Sequence, residues 1–179
     1  MYSLRHAVQE DLPAIMEIIS EAQSYFSRKG IQQWQNGYPN PEVISNDIRR
    51  GNSYVVSEDA SEADQAGRIL ATVMISFDGE PTYARIDGEW ITDRPYAVIH
   101  RLAVRPEWKG RNIAGWIIGQ AEQMCADRKY PCIRIDTHKE NHSMQQVAVK
   151  NGFQYCGIII VADGSPRLAY EKVLSLSPA

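Results

Sequence analysis

An α+β fold is predicted, with a mixed sheet of six to seven strands and about four helices. Three observations predict it. Strand-like runs crowd the middle of the chain, while helical runs separate the later strands. Residues 97–118 read as a buried strand, a short basic turn and the start of an amphipathic helix. The 179 residues are 44% apolar, with no internal repeat and no linker-like stretch, which suits one domain over 1–174 and a frayed tail over 175–179.

In chain order, residues 2–8 alternate weakly and read as a first strand. Asp11 is placed to cap the helix that follows, with Pro13 in its tolerant first turn. Leu12, Ile15, Ile19, Ala22 and Phe26 recur at helical spacing, up to Gly30. Asn40 and Pro41 open a second helix carried by Val43, Ile44 and Ile48 and closed at Gly51. Strands follow over 53–57 and 68–77, joined by a solvated acidic loop over 58–67. Residues 78–95 are broken by Gly79, Pro81, Gly88 and Pro95, with a short strand expected near 83–86. The central strand covers 98–104, and the helix behind it ends near Lys129. A strand over 132–137, a helix from Asn141 to Gly152 and a strand pair over 153–161 and 167–173 complete the chain.

A net charge of −3 argues against nucleic-acid binding and makes the basic turn a local feature. No apolar run reaches membrane-spanning length, and Met1-Tyr-Ser-Leu-Arg-His lacks the apolar core of a signal peptide. A cytoplasmic location is the expectation. Cys125, Cys132 and Cys156 form no Cys-x-x-Cys pair and are read as buried thiols. Asp136, His138 and His142 lack a ligand motif, so no metal is expected.

The turn is where chemistry enters. Helix-start amides carry partial positive charge, and Lys109, Gly110 and Arg111 stand beside them, which makes an anion site suited to phosphate. The turn is neither a Walker loop nor Gly-x-Gly-x-x-Gly. Lys109-Gly110-Arg111-Asn112-Ile113-Ala114, after Ala103-Val104-Arg105-Pro106, resembles the acetyl-CoA signature of the GNAT N-acetyltransferases, Arg/Gln-x-x-Gly-x-Gly/Ala. Lys109 replaces the first Arg or Gln and keeps a donor. Asn112 replaces a Gly, and Asn is the side chain that best tolerates the left-handed region. Ile133-Arg-Ile-Asp-Thr137, then Asn141, then Asn151-Gly152-Phe153 match a second family landmark, in order. The element order resembles the GNAT fold over essentially the whole chain, which implies a mixed, mostly antiparallel twisted sheet flanked by the helices.

That resemblance implies transfer of an acetyl group from acetyl-CoA to an amine, and the aromatic loop from Trp34 to Tyr38, read as a lid, makes a primary amine of a small molecule the expected acceptor. The resemblance implies that the turn amides from Gly110 to Gly115, through Arg111, Asn112, Ile113 and Ala114, hold the pyrophosphate, with charge from Lys109 and Arg111. It implies a backbone donor to the thioester oxygen near Leu102, Ala103 or Val104, where the family's central strand bulges, and contact of Asn141 with the pantetheine arm. The attacking amine must lose a proton. His100, alone among apolar neighbours, is the first choice of base, or else a hydrogen-bonded core residue. Glu89 is the alternative base, or an exposed turn carboxylate. Arg101 is expected to pair with a carboxylate. Trp34, Gln35, Tyr38 and Trp90 are candidates for an acceptor pocket, with plugging of the core as the other reading of Trp34 and Tyr38. Ala148 stands where many relatives have a Tyr acid, so Tyr155, His138 and His142 stay open as general acids. A non-catalytic acyl-CoA sensor and a peptide N-acetyltransferase are the competing functions. The chain is expected as a monomer or homodimer.

Overall fold

The computed structural model describes residues 1–58 and 68–175. The acidic loop and the tail of the sequence reading lie, apart from Glu58 and Ser175, outside the described residues. The described residues form two compact units, one drawn from 1–58, 68–75 and 101–117, the other from 76–100 and 118–175.

The first unit holds β1 (Tyr2–His6), α1 (Leu12–Arg28), α2 (Pro41–Arg49), β2 (Ser53–Glu58) and β3 (Ile69–Ser76). β1 pairs antiparallel with β2, and β2 with β3. The strand order continues from β3 to β5 (Tyr96–Val104), and the Arg105 amide donates to the Leu70 carbonyl at 2.9 Å. The helical stripes bury as their spacing predicts. Ile15, Ile18 and Ile19 of α1 and Ile44 and Ile48 of α2 pack with Val55, Ile69 and Ala103. Asn40 caps α2, its side chain accepting from the Val43 amide at 3.0 Å. Asp11 does not cap α1. Its carboxylate instead accepts from the Val8 amide at 2.8 Å and from both Nη atoms of Arg5.

The second unit holds β4 (Asp87–Gly88), the first half of β5, the later turns of α3 (Ile113–Arg128), β6 (Cys132–Thr137), α4 (His142–Lys150), β7 (Gln154–Ile160) and β8 (Pro166–Val173). The strand order is β5-β6-β8-β7-β4. β5 and β6 run parallel, from Tyr96 opposite Cys132 to Val98 opposite Arg134. The β6–β8, β7–β8 and β4–β7 pairs are antiparallel. Tyr83, Val98, Ile159 and Ala169 form its core, flanked by Ile86, Trp90, Tyr96 and Val161. The three cysteines are free and buried.

The described residues form eight strands, where the sheet was expected to have six to seven. The strand expected near 83–86 is a 3-10 turn over Pro81–Ala84. Pro81 removes a donor there, and the Glu80 carboxylate accepts from the Thr82 amide at 3.1 Å, as a cap does. β4 then meets β7 at two glycines. A Cβ on Gly88 would overlap the Cys156 carbonyl, and one on Gly157 the Asp87 carbonyl. Both also have φ values, 132° and 144°, that side chains rarely adopt. Gly157→Ala is therefore expected to destabilise the protein by about 1–3 kcal/mol. Chemical denaturation measures it, and an unchanged midpoint would show that β4 yields at no cost.

Candidate active site

Two constellations of polar and charged groups stand out, one in each unit. In the first, the chain leaves β5 at Arg105, makes a 3-10 turn over Pro106–Trp108 and enters α3 at Ile113. Gly110 (φ 81°) and Asn112 (φ 58°) are both left-handed, so Asn112 adopts the conformation its residue type permits. Alternation of this kind makes an anion-binding nest of successive amides. Among the described residues, the amides of Gly110, Arg111, Asn112 and Ile113 donate to no protein acceptor. The Asn112 carbonyl accepts from the Trp116 amide at 2.9 Å, and its side chain lies over Gly115. Two cations flank the turn on aromatic supports. The Lys109 ammonium sits 4.4 Å over the Tyr25 ring, and the Arg111 guanidinium 4.4 Å over Trp108. Tyr2 braces Trp108 and Trp116 edge-on. This donor set, free amides beside two oriented cations, suits a pyrophosphate. The supports Tyr25, Trp108 and Tyr2 were not singled out from the sequence, because Tyr25 and Tyr2 are far in sequence from the groups they meet and Trp108 lies across a turn from Arg111.

In the second unit, His100 stands on β5 after buried Val98 and Ile99, with its side chain 18% exposed. Nε2 lies 3.1 Å from Glu80 Oε2, and Nδ1 3.5 Å from Asp136 Oδ2. Asp136 in turn accepts from the Tyr83 hydroxyl at 2.7 Å. The Tyr83 ring is buried and meets the imidazole edge-on. The hydrogen bond with His100 holds the Glu80 carboxyl down at about 2, against its partial burial. Burial, and then the neighbouring Asp136, push the Tyr83 phenol well up. None of these partners was chosen from sequence. Glu80 and Tyr83 lie in the irregular stretch, and Asp136 was weighed only as a metal ligand. The described residues hold no group of three or more His, Cys, Asp or Glu placed for a metal.

The depressed Glu80 sets one pH expectation. Its pairing stabilises the fold fully above the ordinary carboxylate range near 4.5, and that contribution is lost as pH falls toward about 2. Acid unfolding of Glu80→Gln should therefore be less steep across that window than that of the wild type. Parallel curves would contradict the pairing.

Arg101, next along β5, is the backbone anomaly of the strand, with φ 51°. Its guanidinium makes a bidentate pair with Asp47, at 2.7 and 2.9 Å, and donates to the Tyr38 hydroxyl at 2.8 Å. The carboxylate partner expected for it is thus Asp47. Arg101 directly precedes Leu102.

Residues 12–153 match the family described as the Acetyltransferase (GNAT) family. The chain belongs to the GNAT family. It is 32% identical to an acetyltransferase of the GNAT family from Streptococcus agalactiae, covering 97% of this chain and 96% of that one, with a TM-score of 0.84. A GNAT acetyltransferase structure from Listeria monocytogenes matches at 21% identity over 97% and 95% of the chains, with a TM-score of 0.72. The PaiA N-acetyltransferase of Thermoplasma acidophilum in complex with coenzyme A matches at 17% over 97% and 99%, with a TM-score of 0.67. These last two show the shared fold. None of the curated proteins matches the sequence.

Within this GNAT chain, the remaining candidates fall as follows. Asn141 is buried and caps α4, accepting from the Met144 amide at 3.1 Å. Leu102 and Val104 are half-buried, and Ala103 belongs to the core of the first unit. Trp34 packs on that core and edge-on to Phe26. Gln35 donates to the carbonyls of Gln23 and Gln33, and the Tyr38 ring is exposed. Trp90 is half-buried beside Tyr83. Its Nε1 donates to the Tyr83 carbonyl, and the Arg134 guanidinium covers its ring at 4.2 Å. Glu89 is exposed, outside the His100 cluster. Ala148 is buried, and Tyr155 is exposed against Tyr170. His138 Nδ1 accepts from the Glu140 amide, and burial lowers its pKa. Among the described residues, no helix is long and apolar enough to cross a membrane.

Proposed function

We propose that this GNAT protein transfers the acetyl group of acetyl-CoA to a primary amine of a small molecule, with His100 as general base. The observation that carries the reading is the imidazole flanked by Glu80 and Asp136 on β5, the strand that runs on into the phosphate-type turn. When bound, acetyl-CoA supplies a thioester whose carbonyl carbon accepts the amine nitrogen, so that a C–N bond forms and the C–S bond breaks, the sulfur leaving as thiolate. The amides of residues 110–115 and the charges of Lys109 and Arg111 hold the pyrophosphate. An amide of β5 at Leu102 or Val104 faces the developing oxyanion. Asn141 reaches the pantetheine arm. A free alkylamine titrates near ~10, as lysine does, so the acceptor arrives protonated and must shed protons. His100 takes one from the attacking nitrogen. The thiolate, with a thiol pKa near ~8.5, leaves without a dedicated acid, which suits alanine at position 148. Tyr38, Gln35 and Trp34 supply the acceptor side from the loop between α1 and α2. Exposed Glu89 is the alternative base.

Acetyl-CoA binding, measured by calorimetry, together with free-thiol release over a panel of small amines and peptides, tests the reading. Binding with thiol release on small amines supports it. Preference for peptides overturns the acceptor class. Binding without release on any member points to a sensor, and absence of binding ends the reading.

The turn gives its own test. A Cβ at Gly115 would lie 2.5 Å from Asn112 Oδ1, so Gly115→Ala must displace that side chain. The KM for acetyl-CoA is expected to rise about tenfold, the worth of a hydrogen bond to a charged group, with kcat on a saturating donor little changed. An unaltered KM would show that the cradle does not depend on the placement of the Asn112 side chain.

A further inference from the structure

His100 has two carboxylate partners, and they are held differently. Glu80 sits on the turn before Pro81, its side chain 24% exposed, with Oε1 taken up by the Thr82 amide and hydroxyl and Oε2 facing His100 Nε2. Asp136 sits on β6, its side chain 9% exposed, with Oδ2 shared between the Tyr83 hydroxyl and His100 Nδ1. A neutral imidazole carries one N–H. The shorter contact, 3.1 Å to Glu80 against 3.5 Å to Asp136, assigns it to Nε2 and leaves the lone pair on Nδ1.

We infer that Asp136 and Tyr83 are positioning residues for the proposed general base, which accepts its proton at Nδ1 against an Asp136 carboxylate anchored by the Tyr83 hydroxyl. The inference rests on the reading of His100 given above. Proton transfer breaks an N–H bond of the acceptor nitrogen, whose electron pair stays on that nitrogen, forms the Nδ1–H bond, and converts the 3.5 Å approach into a second N–H···O⁻ contact, leaving an imidazolium between two carboxylates. The proton then leaves to solvent, and the neutral imidazole returns. Tyr83 suits the anchoring role because a phenol buried beside a carboxylate stays a donor at all working pH values. The groups facing the imidazole are Glu80 from the turn, Tyr83 from the 3-10 segment and Asp136 from β6. The nearest cation on β6, Arg134, is engaged by Glu171 and stacked on Trp90 and Tyr96.

The two arms predict opposite pH behaviour. In Asp136→Asn, the imidazolium loses a neighbouring charge, so the acidic limb of kcat/KM should move to lower pH by roughly half a unit or more, with a lower kcat. In Tyr83→Phe, Asp136 loses its donor, its charge falls more fully on His100, and the limb should move to higher pH. Asp136→Glu should recover part of the wild-type profile. A merely structural role would lower activity without opposed shifts, and limbs that move together, or not at all, overturn the inference. One measurement needs no known acceptor. Long-range ¹⁵N–¹H spectra of the wild-type protein, with His100 assigned by its absence in His100→Gln, report the neutral tautomer. The Nε2–H form is expected, and the Nδ1–H form overturns the assignment. That spectrum stands apart from the amine panel, so failure of the tautomer and failure of acetyl transfer are read separately.

Discussion

His100→Ala is expected to lower kcat on an accepted amine by about 10²–10⁴-fold, the usual worth of a positioned acid–base group, and to leave acetyl-CoA binding unchanged. The split follows from where the parts lie. The phosphate-type turn and its aromatic supports are built from residues of the first unit, and the imidazole contributes to none of their contacts. The remaining rate should rise steeply with pH, because the amine then has only solvent to deprotonate it. Turnover across pH 6 to 9, with donor affinity measured in parallel, is the check. A variant that binds acetyl-CoA and turns over at the wild-type rate would return His100 to the role of a core histidine.

Glu171→Ala is expected to be the most destabilising single change described for the second unit. The Glu171 side chain is fully buried on β8. It accepts from the Ile91 amide at 2.6 Å, the Thr92 amide at 3.2 Å, the Thr92 hydroxyl at 2.9 Å and Arg134 Nε at 3.3 Å. Arg134 is itself buried between the Trp90 and Tyr96 rings, at 4.2 and 4.0 Å. Deleting the carboxylate leaves an uncompensated guanidinium and three unmade hydrogen bonds in the interior. Breaking a buried pair from one side costs about 3–5 kcal/mol, on the order of 10 °C in Tm for a chain of this size. Thermal unfolding decides it. A loss of only 1–2 °C would show that water or a neighbour replaces the carboxylate.

The sequence made some of this visible and hid the rest for physical reasons. The spacing of Ile15, Ile19, Ile44 and Ile48 marked the buried faces of α1 and α2, since helical period is a local property. The left-handed Asn112 was legible because residue type limits φ directly. The carboxylate pairing of Arg101 followed from a charge on an apolar strand, although which carboxylate did not. The partners of His100 were not legible. Glu80 and Asp136 lie 20 and 36 positions away on either side, and only the parallel pairing of β5 with β6 and the turn before Pro81 place them there. β4 escaped notice because two residues carry no period, and its evidence is the close approach of Gly88 to Gly157.

The interleaving of the two units bears on how the chain is made. The first unit needs residues 101–117 as well as 1–75. On a ribosome, β1, β2 and β3 emerge together with α1 and α2, yet the β3 edge that offers the Leu70 carbonyl waits for Arg105 to arrive. The intervening residues, 76–100, belong to the second unit, which itself closes only when β8 has been synthesised. Nascent chains that stop short of Ile117 therefore carry an unpaired strand edge beside an apolar helical face. Those are the lengths at which this protein depends most on being shielded from its neighbours.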